Sequence, residues 1–240
     1  MPEKVYAIII PIFDPRYPEE VINFAEALCS RSDCPLVVIN DGCAEQYQTL
    51  FERLQNIKRC SVINHELNRG KGRALKSAFS YLLEQYPALA GAVTADCDGQ
   101  HQIEDILQCV QTLRANPEHL IIGTRDFTSA NVPWKNRWGN RIGSYLFKRC
   151  TGEFLIDTQS GLRGIPAAFM QILLNKPGER FEFETTMLLE SINPHNGQIF
   201  PILTLPVNTV YTQDHSTHFR SWQDSLKILK ILLAAGKNNR

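Results

Sequence analysis

The chain has 240 residues, 43% of them hydrophobic, 21% charged and 9% aromatic, enough apolar material for a substantial buried core and too much for intrinsic disorder. Twenty-five Lys and Arg balance twenty-five Asp and Glu, so no global positive field draws the molecule onto nucleic acid, and any bound anion must be held by local groups. Seven cysteines, an odd number with no Cys-x-x-Cys pair, argue against a disulfide framework or a structural zinc site and fit a reducing cytoplasm.

From Met1 to Pro11 the chain has neither the basic head nor the small-residue cleavage site of a signal peptide, and it reads as a first strand. No stretch approaches the roughly 18 consecutive apolar residues of a membrane span, so the expectation is a soluble protein or one lying on a membrane. Short β-branched runs follow at Tyr6 to Ile10, Leu36 to Ile39, Ser61 to Asn64, Ala92 to Ala95 and Leu120 to Ile122. Between them, Val21, Phe24, Ala25 and Leu28, then Leu75, Ala78, Phe79 and Leu82, then Ile103, Ile106, Leu107 and Val110 keep helical spacing. The alternation predicts an α/β domain with a mostly parallel sheet flanked by helices.

From Phe127 the rhythm changes. A loop (Thr128 to Pro133) leads to a helix rich in Arg and Asn (Asn136 to Arg149), then a Gly-punctuated strand (Ser160 to Ile165). A short helix from Ala167, a helix from near Phe183 and a return strand (Leu203 to Tyr211) follow. With no linker, repeat or low-complexity segment, residues 1–220 read as one domain. Residues 221–240 form a C-terminal helix and tail. Between Trp222 and Ala235 that helix sets a wide apolar arc around Lys227 and Lys230, suited either to packing on the core or to lying in a membrane interface.

The sharpest local feature is Thr94-Ala95-Asp96-Cys97-Asp98-Gly99-Gln100-His101. It puts two carboxylates at the carboxyl end of a strand, where open α/β sheets bind ligands. Side chains two apart in an extended segment point the same way, and close carboxylates repel unless a cation or proton intervenes. Mg²⁺ or Mn²⁺ bridging them to a diphosphate would serve. Counting from Asp96 puts His101 and Leu107 where a calcium loop needs Gly and Glu, so an EF-hand is excluded. By itself the pair would also suit an ordinary turn and helix cap.

Other strand ends add to it. Asn40-Asp41-Gly42-Cys43 is an acidic turn placed to hydrogen-bond a ribose or base. Asn68-Arg69-Gly70-Lys71-Gly72-Arg73-Ala74 puts glycines and cations at a helix start, where backbone N–H groups can receive phosphate. Its spacing is not the dinucleotide fingerprint, because Leu75 replaces the third glycine, and no P-loop occurs anywhere. Gly123-Thr124-Arg125-Asp126 brings a cation beside the acidic pair. Cys43 and Cys97, although next to these groups, read as small apolar side chains.

Taken in order with Ile10-Pro11-Ile12-Phe13 and Asp157-Thr158-Gln159-Ser160-Gly161-Leu162-Arg163, these segments resemble the family 2 glycosyltransferases. The likeness is to the polyprenol (dolichol) phosphate mannose or glucose synthase branch without its membrane helices, over about residues 5 to 220. The resemblance implies a GT-A fold. Pro11, Phe13 and Asp41 would line the nucleoside pocket, with Lys71 and Asp96 near the ribose and diphosphate. Asp96, Asp98 and Gln100 would stand at the divalent metal. It places Arg125 on donor phosphate or acceptor, and Asp157, Ser160, Gly161 and Arg163 on the sugar and acceptor side. Glu184 in Phe181-Glu182-Phe183-Glu184 would lie near the acceptor. The run Tyr211 to Arg220, with Ser216, His218, Phe219 and Arg220, would close over the diphosphate.

The chain departs from the family pattern in its opening motif, Pro11-Ile12-Phe13-Asp14-Pro15, which lacks the usual Glu, and in Asn40-Asp41, which leaves one acid of two. Base identity is therefore open between guanine and uracil. Trp134 stands where processive synthases carry Gln before Arg137-Trp138, which favours transfer of a single sugar.

The function expected is an inverting, Mg²⁺- or Mn²⁺-dependent hexosyltransferase, cytoplasmic or peripheral on the cytoplasmic membrane face. It would move one hexose from a UDP- or GDP-sugar to a lipid-linked acceptor, polyprenol phosphate by resemblance. Asp98, Arg125, Asp157 and Glu184 are the expected catalytic group. Arg137, Arg141, His218 and Arg220 are the cations expected to attract an acceptor phosphate. A homodimer or a membrane-protein partner is compatible with this. The alternatives are transfer to a hydroxyl acceptor, a non-catalytic nucleotide-sugar-binding subunit, and a nucleotidyltransferase.

Overall fold

The structure, a computed structural model, describes residues 3–97, 99, 101–126, 134–208 and 231, with the side chains of all of these except 134–139. The loop expected over Thr128 to Pro133, the residues Asp98 and Gln100, the side chain of Arg137, the run Tyr211 to Arg220 with His218 and Arg220, and nearly all of the Trp222 to Ala235 helix lie outside the described residues.

Among the described residues, seven strands form one sheet in the order β3-β2-β1-β4-β6-β5-β7. They are β1 (Val5–Ile12), β2 (Leu36–Asp41), β3 (Cys60–His65), β4 (Leu89–Thr94), β5 (Leu120–Arg125), β6 (Arg163–Pro166) and β7 (Ile202–Val207). The helices are α1 (Pro18–Arg31), α2 (Gln48–Gln55), α3 (Lys71–Gln85), α4 (Ile103–Ala115), α5 (Trp134–Thr151), α6 (Ala167–Leu173) and α7 (Glu182–Ile192). A short 3₁₀ turn, Glu45–Tyr47, precedes α2.

The strands read as near-continuous apolar runs because helices cover both faces of the sheet. Ile8, Ile10, Leu36, Val38, Val93 and Ile121 pack on one side with α1, α2 and α4 through Leu28, Leu54 and Ile106. Their neighbours Ile9, Val37, Ile39, Ala92 and Ile122 pack on the other with Phe79 of α3, Phe169 of α6 and Phe183 of α7. The helical spacings predicted from sequence supply these faces. Leu75, Ala78, Phe79 and Leu82 are all buried, as are Val21, Ala25 and Leu28.

The strand order reverses between β1 and β4, the switch point at which a doubly wound sheet opens a crevice at its carboxyl edge. β6 alone runs antiparallel to both its neighbours, pairing Thr94 with Arg163 on one side and Ile122 with Arg163 on the other. This orientation has a direct consequence for the site: the residues that precede β6, Asp157 to Leu162, arrive at the same edge as the ends of β4 and β5.

The strand expected from Ser160 begins at Arg163. Ser160 to Leu162 instead wrap the sheet edge, with Thr94 Oγ1 donating to Gly161 O at 2.8 Å and Gly123 N–H donating to Leu162 O at 2.8 Å.

Candidate active site

Three elements meet at the switch point through one lysine. Lys71, the first residue of α3, sends its ammonium to Asp96 Oδ1 at 2.6 Å, just past the end of β4, and to Glu184 Oε1 at 2.9 Å in the first turn of α7. The second contact is charge pairing rather than an aligned hydrogen bond, because that carboxylate oxygen has no hydrogen-bond partner among the described residues. His101 Nε2 approaches Asp96 Oδ2 at 3.9 Å.

Burial acts to raise the Asp96 carboxyl, but the Lys71 ammonium and His101 outweigh it and hold the acid well below the usual carboxylate range. Burial likewise pulls the Lys71 ammonium down, and Asp96 and Glu184 together reverse this and raise it. The cluster is therefore charged on both sides, and the Asp96 side chain keeps 31% of its surface exposed. From the Asp157 to Leu162 loop, Gly161 presses on Asp96 so closely that a Cβ there would collide with the carboxylate.

Below this cluster Arg163 is 1% exposed. Its guanidinium donates to Ser160 O at 2.9 Å, Glu184 O at 2.6 Å and Thr158 O at 3.4 Å, and lies 4.0 Å from the Glu184 carboxylate. Burial lowers its pKa against the opposing pull of Glu184, Asp157 and Asp96. Arg163 thus forms the floor that ties the loop before β6 to α7. Ser160 Oγ, buried beside it, has no hydrogen-bond partner among the described residues.

Beside the cluster Arg125, at the end of β5, grips Asp157 in a two-pronged pair, Nε to Oδ2 at 2.7 Å and Nη2 to Oδ1 at 3.0 Å. Asp157 is fully buried and also accepts from Gln159 N–H at 3.0 Å. The carboxylate expected to face a sugar ring is instead turned into the protein, holding Arg125 in place.

Asp41 stands apart from Asp96. Its carboxylate accepts from His65 Nδ1 at 2.7 Å, Asn68 Nδ2 at 3.1 Å, Arg69 N–H at 3.0 Å and Gly70 N–H at 2.8 Å. His65 Nε2 pairs in turn with Ser77 Oγ at 2.9 Å. Part of the start of α3, read from sequence as a phosphate cradle, is thereby engaged by the protein itself. Arg69 N–H and Gly70 N–H point at Asp41, and Arg73 N–H donates to Glu179 O at 2.9 Å. Gly70 takes φ +95°, the left-handed turn that aims Lys71 at Asp96.

Pro11 and Phe13 sit half-buried at the end of β1. Cys43 Sγ accepts from Asp14 N–H at 3.1 Å, and burial pushes its thiol up to about 12, so it is an inert packing group. Cys43 and Cys97 both pack against the core, as expected of small apolar side chains.

Two supporting residues escaped the sequence reading. His65 lies one residue past the strand predicted to end at Asn64, and His101 stood in the acidic motif without an assigned role. Their partners, Asp41 and Asp96, are 24 and 5 residues away.

Of the residues expected to hold a divalent cation, Asp96 is the one described. Asp96 is an ionised, partly exposed oxygen ligand, the type that suits Mg²⁺ or Mn²⁺, and Asp98 and Gln100 follow it in sequence. Among the described residues no group of three His, Cys, Asp or Glu is arranged to hold a metal.

The family model for glycosyl transferase family 2 matches residues 7–171. The chain belongs to glycosyl transferase family 2. This family 2 glycosyltransferase is similar to the UDP-N-acetylglucosamine–dolichyl-phosphate N-acetylglucosaminyltransferase of Methanococcus voltae, with 24% identity over 234 residues, 89% of this chain and 88% of the relative. Among solved structures it resembles glucosyl-3-phosphoglycerate synthase from Mycobacterium tuberculosis, in a complex with Mn²⁺, UDP and glucosyl-3-phosphoglycerate. The TM-score is 0.69 at 11% identity, covering 98% of this chain and 80% of that one. It also resembles mannosyl-3-phosphoglycerate synthase from Rubrobacter xylanophilus, with a TM-score of 0.62 at 13% identity over 98% and 74% of the two chains. The family 2 enzyme therefore has the GT-A fold expected from its motifs and is a nucleotide-sugar glycosyltransferase.

Proposed function

We propose that the enzyme transfers one hexose, with inversion, from a UDP- or GDP-sugar to a polyprenol phosphate at a membrane surface. The observation that carries the acceptor assignment is the Arg125–Asp157 pair. A hydroxyl acceptor wants a carboxylate within about 3 Å to take its proton, whereas a phosphate is already an anion and attacks unaided. Asp157 is buried against Arg125 and Glu184 faces Lys71, so neither is presented as a base. The dolichyl-phosphate named for the Methanococcus voltae relative supports the same choice.

In this reading Asp96, Asp98 and Gln100 would hold Mg²⁺ or Mn²⁺, which when bound stabilises charge on the diphosphate. The protein's own residues do the rest. Lys71 holds Asp96 ionised and in place, and adds a cation within reach of the donor diphosphate. Pro11 and Phe13 line the nucleoside side, and the buried Asp41 acts through the loop that delivers Lys71. Arg163 and Gly161 shape the floor beneath the sugar, where the buried, unpartnered Ser160 hydroxyl suits a bound water. Arg125, oriented by Asp157, meets the acceptor phosphate, and by the family resemblance His218 and Arg220 would close over the diphosphate. A phosphate oxygen attacks the anomeric carbon as its bond to the diphosphate breaks, and the fixed cations offset the charge that builds on the leaving group.

Thermal-shift measurements with UDP- and GDP-sugars, with and without Mn²⁺, test the donor side. Donor at 100 times its dissociation constant stabilises the fold by roughly 2.7 kcal/mol, and the stabilisation is expected only with the cation present. Product formation with polyprenyl phosphate and none with a hydroxyl acceptor tests the acceptor side. Stabilisation by no donor, or turnover of hydroxyl acceptors alone, would sink the proposal.

A further inference from the structure

Seven large apolar side chains are exposed among the described residues, and four of them, Ile142, Tyr145, Phe154 and Ile156, fall within one short stretch. Ile142 and Tyr145 lie three residues apart on α5 and share a helix face with Arg141, Lys148 and Arg149, all exposed. Phe154 joins this face from the following loop, with the Lys148 ammonium 5.7 Å from its ring centre. Glu153 is the one exposed acid between residues 141 and 156. Scattered exposed apolar residues need no explanation, but an apolar cluster fringed by cations is a recognition surface.

We infer that this face of α5 and the 152–156 loop seats the enzyme on an anionic lipid bilayer. The local balance of charge selects that occupant. The chain as a whole is neutral, yet here three cations share a face with three exposed apolar side chains, Ile142, Tyr145 and Phe154. That combination inserts apolar groups between lipid headgroups while Lys and Arg meet lipid phosphates. No helix among the described residues is long and apolar enough to cross a membrane, so the contact is interfacial.

The surface is also rigidly joined to the site. Asn140 Nδ2 and Ser144 Oγ, on the inner side of α5, donate to Ile156 O at 2.5 and 3.1 Å, and Asn140 Oδ1 accepts from Thr158 N–H at 3.3 Å. The next residue after Ile156 is Asp157, the partner of Arg125. These bonds tie the face, through Ile156, to the Asp157–Arg125 pair on the acceptor side of the site. The inference rests on the lipid-acceptor reading for its purpose, though not for the binding itself.

The test is co-sedimentation of the full chain with vesicles of phosphatidylcholine alone and of equal parts phosphatidylcholine and phosphatidylglycerol. Binding is expected to the anionic vesicles and to weaken with salt. Lys148→Gln with Arg149→Gln should weaken it about 25-fold, from the roughly fivefold that each basic residue contributes beside an anionic surface. Ile142→Gln, Tyr145→Gln and Phe154→Gln together should abolish it. Both variants should match the wild type in melting temperature and in turnover of a short, water-soluble polyprenyl phosphate.

Failure of the wild type to bind either vesicle would overturn the inference. So would binding that both variants retain, or a wild-type dimer that the Gln variants dissociate, since the face would then join two copies of the chain. Vesicle binding lost in both variants, combined with no turnover of any polyprenyl phosphate, would support the surface and overturn the acceptor reading instead.

Discussion

Lys71 Nζ lies 2.6 Å from Asp96 Oδ1 and 2.9 Å from Glu184 Oε1, so one ammonium holds together two acids 88 residues apart in sequence. Removing it leaves two carboxylates facing each other with no charge between them. Lys71→Met is expected to lower stability by about 3 kcal/mol, the low end for breaking a buried ion pair from one side, as measured by urea denaturation at neutral pH. An unchanged midpoint would show that the pair does not hold the fold.

The same pair sets a pH dependence. The Asp96 carboxyl is depressed in the folded state, where Lys71 and His101 outweigh burial, so it contributes stability above its unfolded value near 4 that is lost as pH falls below it. The Lys71 ammonium is raised, so its contribution is present below its unfolded value near 10.4 and is lost at higher pH. Wild-type stability should therefore fall between about pH 4 and pH 2 with a slope that Lys71→Met reduces. Parallel acid arms in the two proteins would contradict the assignment.

Gly161 is placed where any side chain would push Asp96 aside. Gly161→Ala is expected to cost about 1–3 kcal/mol of stability through overpacking but to reduce transfer about 100-fold, the penalty for moving a reacting group by about 1 Å. Steady-state rates on a variant shown by circular dichroism to be folded provide the check. A rate within a few-fold of wild type would mean that the Asp96 position is not critical.

Asp157→Asn keeps an oxygen for Arg125 but loses the charge of the two-pronged pair. We expect about 3 kcal/mol of destabilisation, reduced turnover, and a pH–rate profile of unchanged shape between pH 6 and 8, because a phosphate acceptor needs no base. If an acid-limb ionisation seen in the wild type disappears in this variant, Asp157 is a base and the acceptor is a hydroxyl.

For Asp41→Asn the expectation is a rise in donor KM with a smaller change in kcat. An amide cannot accept from His65, Asn68, Arg69 N–H and Gly70 N–H together, and the loop that delivers Lys71 loosens. Full rescue of donor binding in the Asn variant would show that the carboxylate charge is not what organises this loop.

The element order, the burial of alternate strand residues on two faces and the family were legible in the sequence, because apolar periodicity and the spacing of the Asp96, Gly123-Thr124-Arg125 and Asp157 to Arg163 segments are local or ordered properties of the chain. That Asp96 stands at the carboxyl end of a strand followed from the same pattern, whereas the central place of that strand is a matter of strand order. The pairings across the site were not legible. Asp41 looks like a ligand contact in sequence and is engaged with His65 and the α3 turn. Gly70 and Lys71 look like a phosphate loop, yet the Arg69 and Gly70 N–H groups point at Asp41. Asp157 looks like a free acid and is buried on Arg125. Each of those partnerships is a contact between groups far apart in the chain, and it exists only because β6 inserts antiparallel between β4 and β5 and carries the loop before it to the edge where α3 and α7 begin. Residue type fixes which charges are available, whereas strand direction fixes which of them meet, and Coulomb attraction at under 3 Å then decides which remain for a ligand.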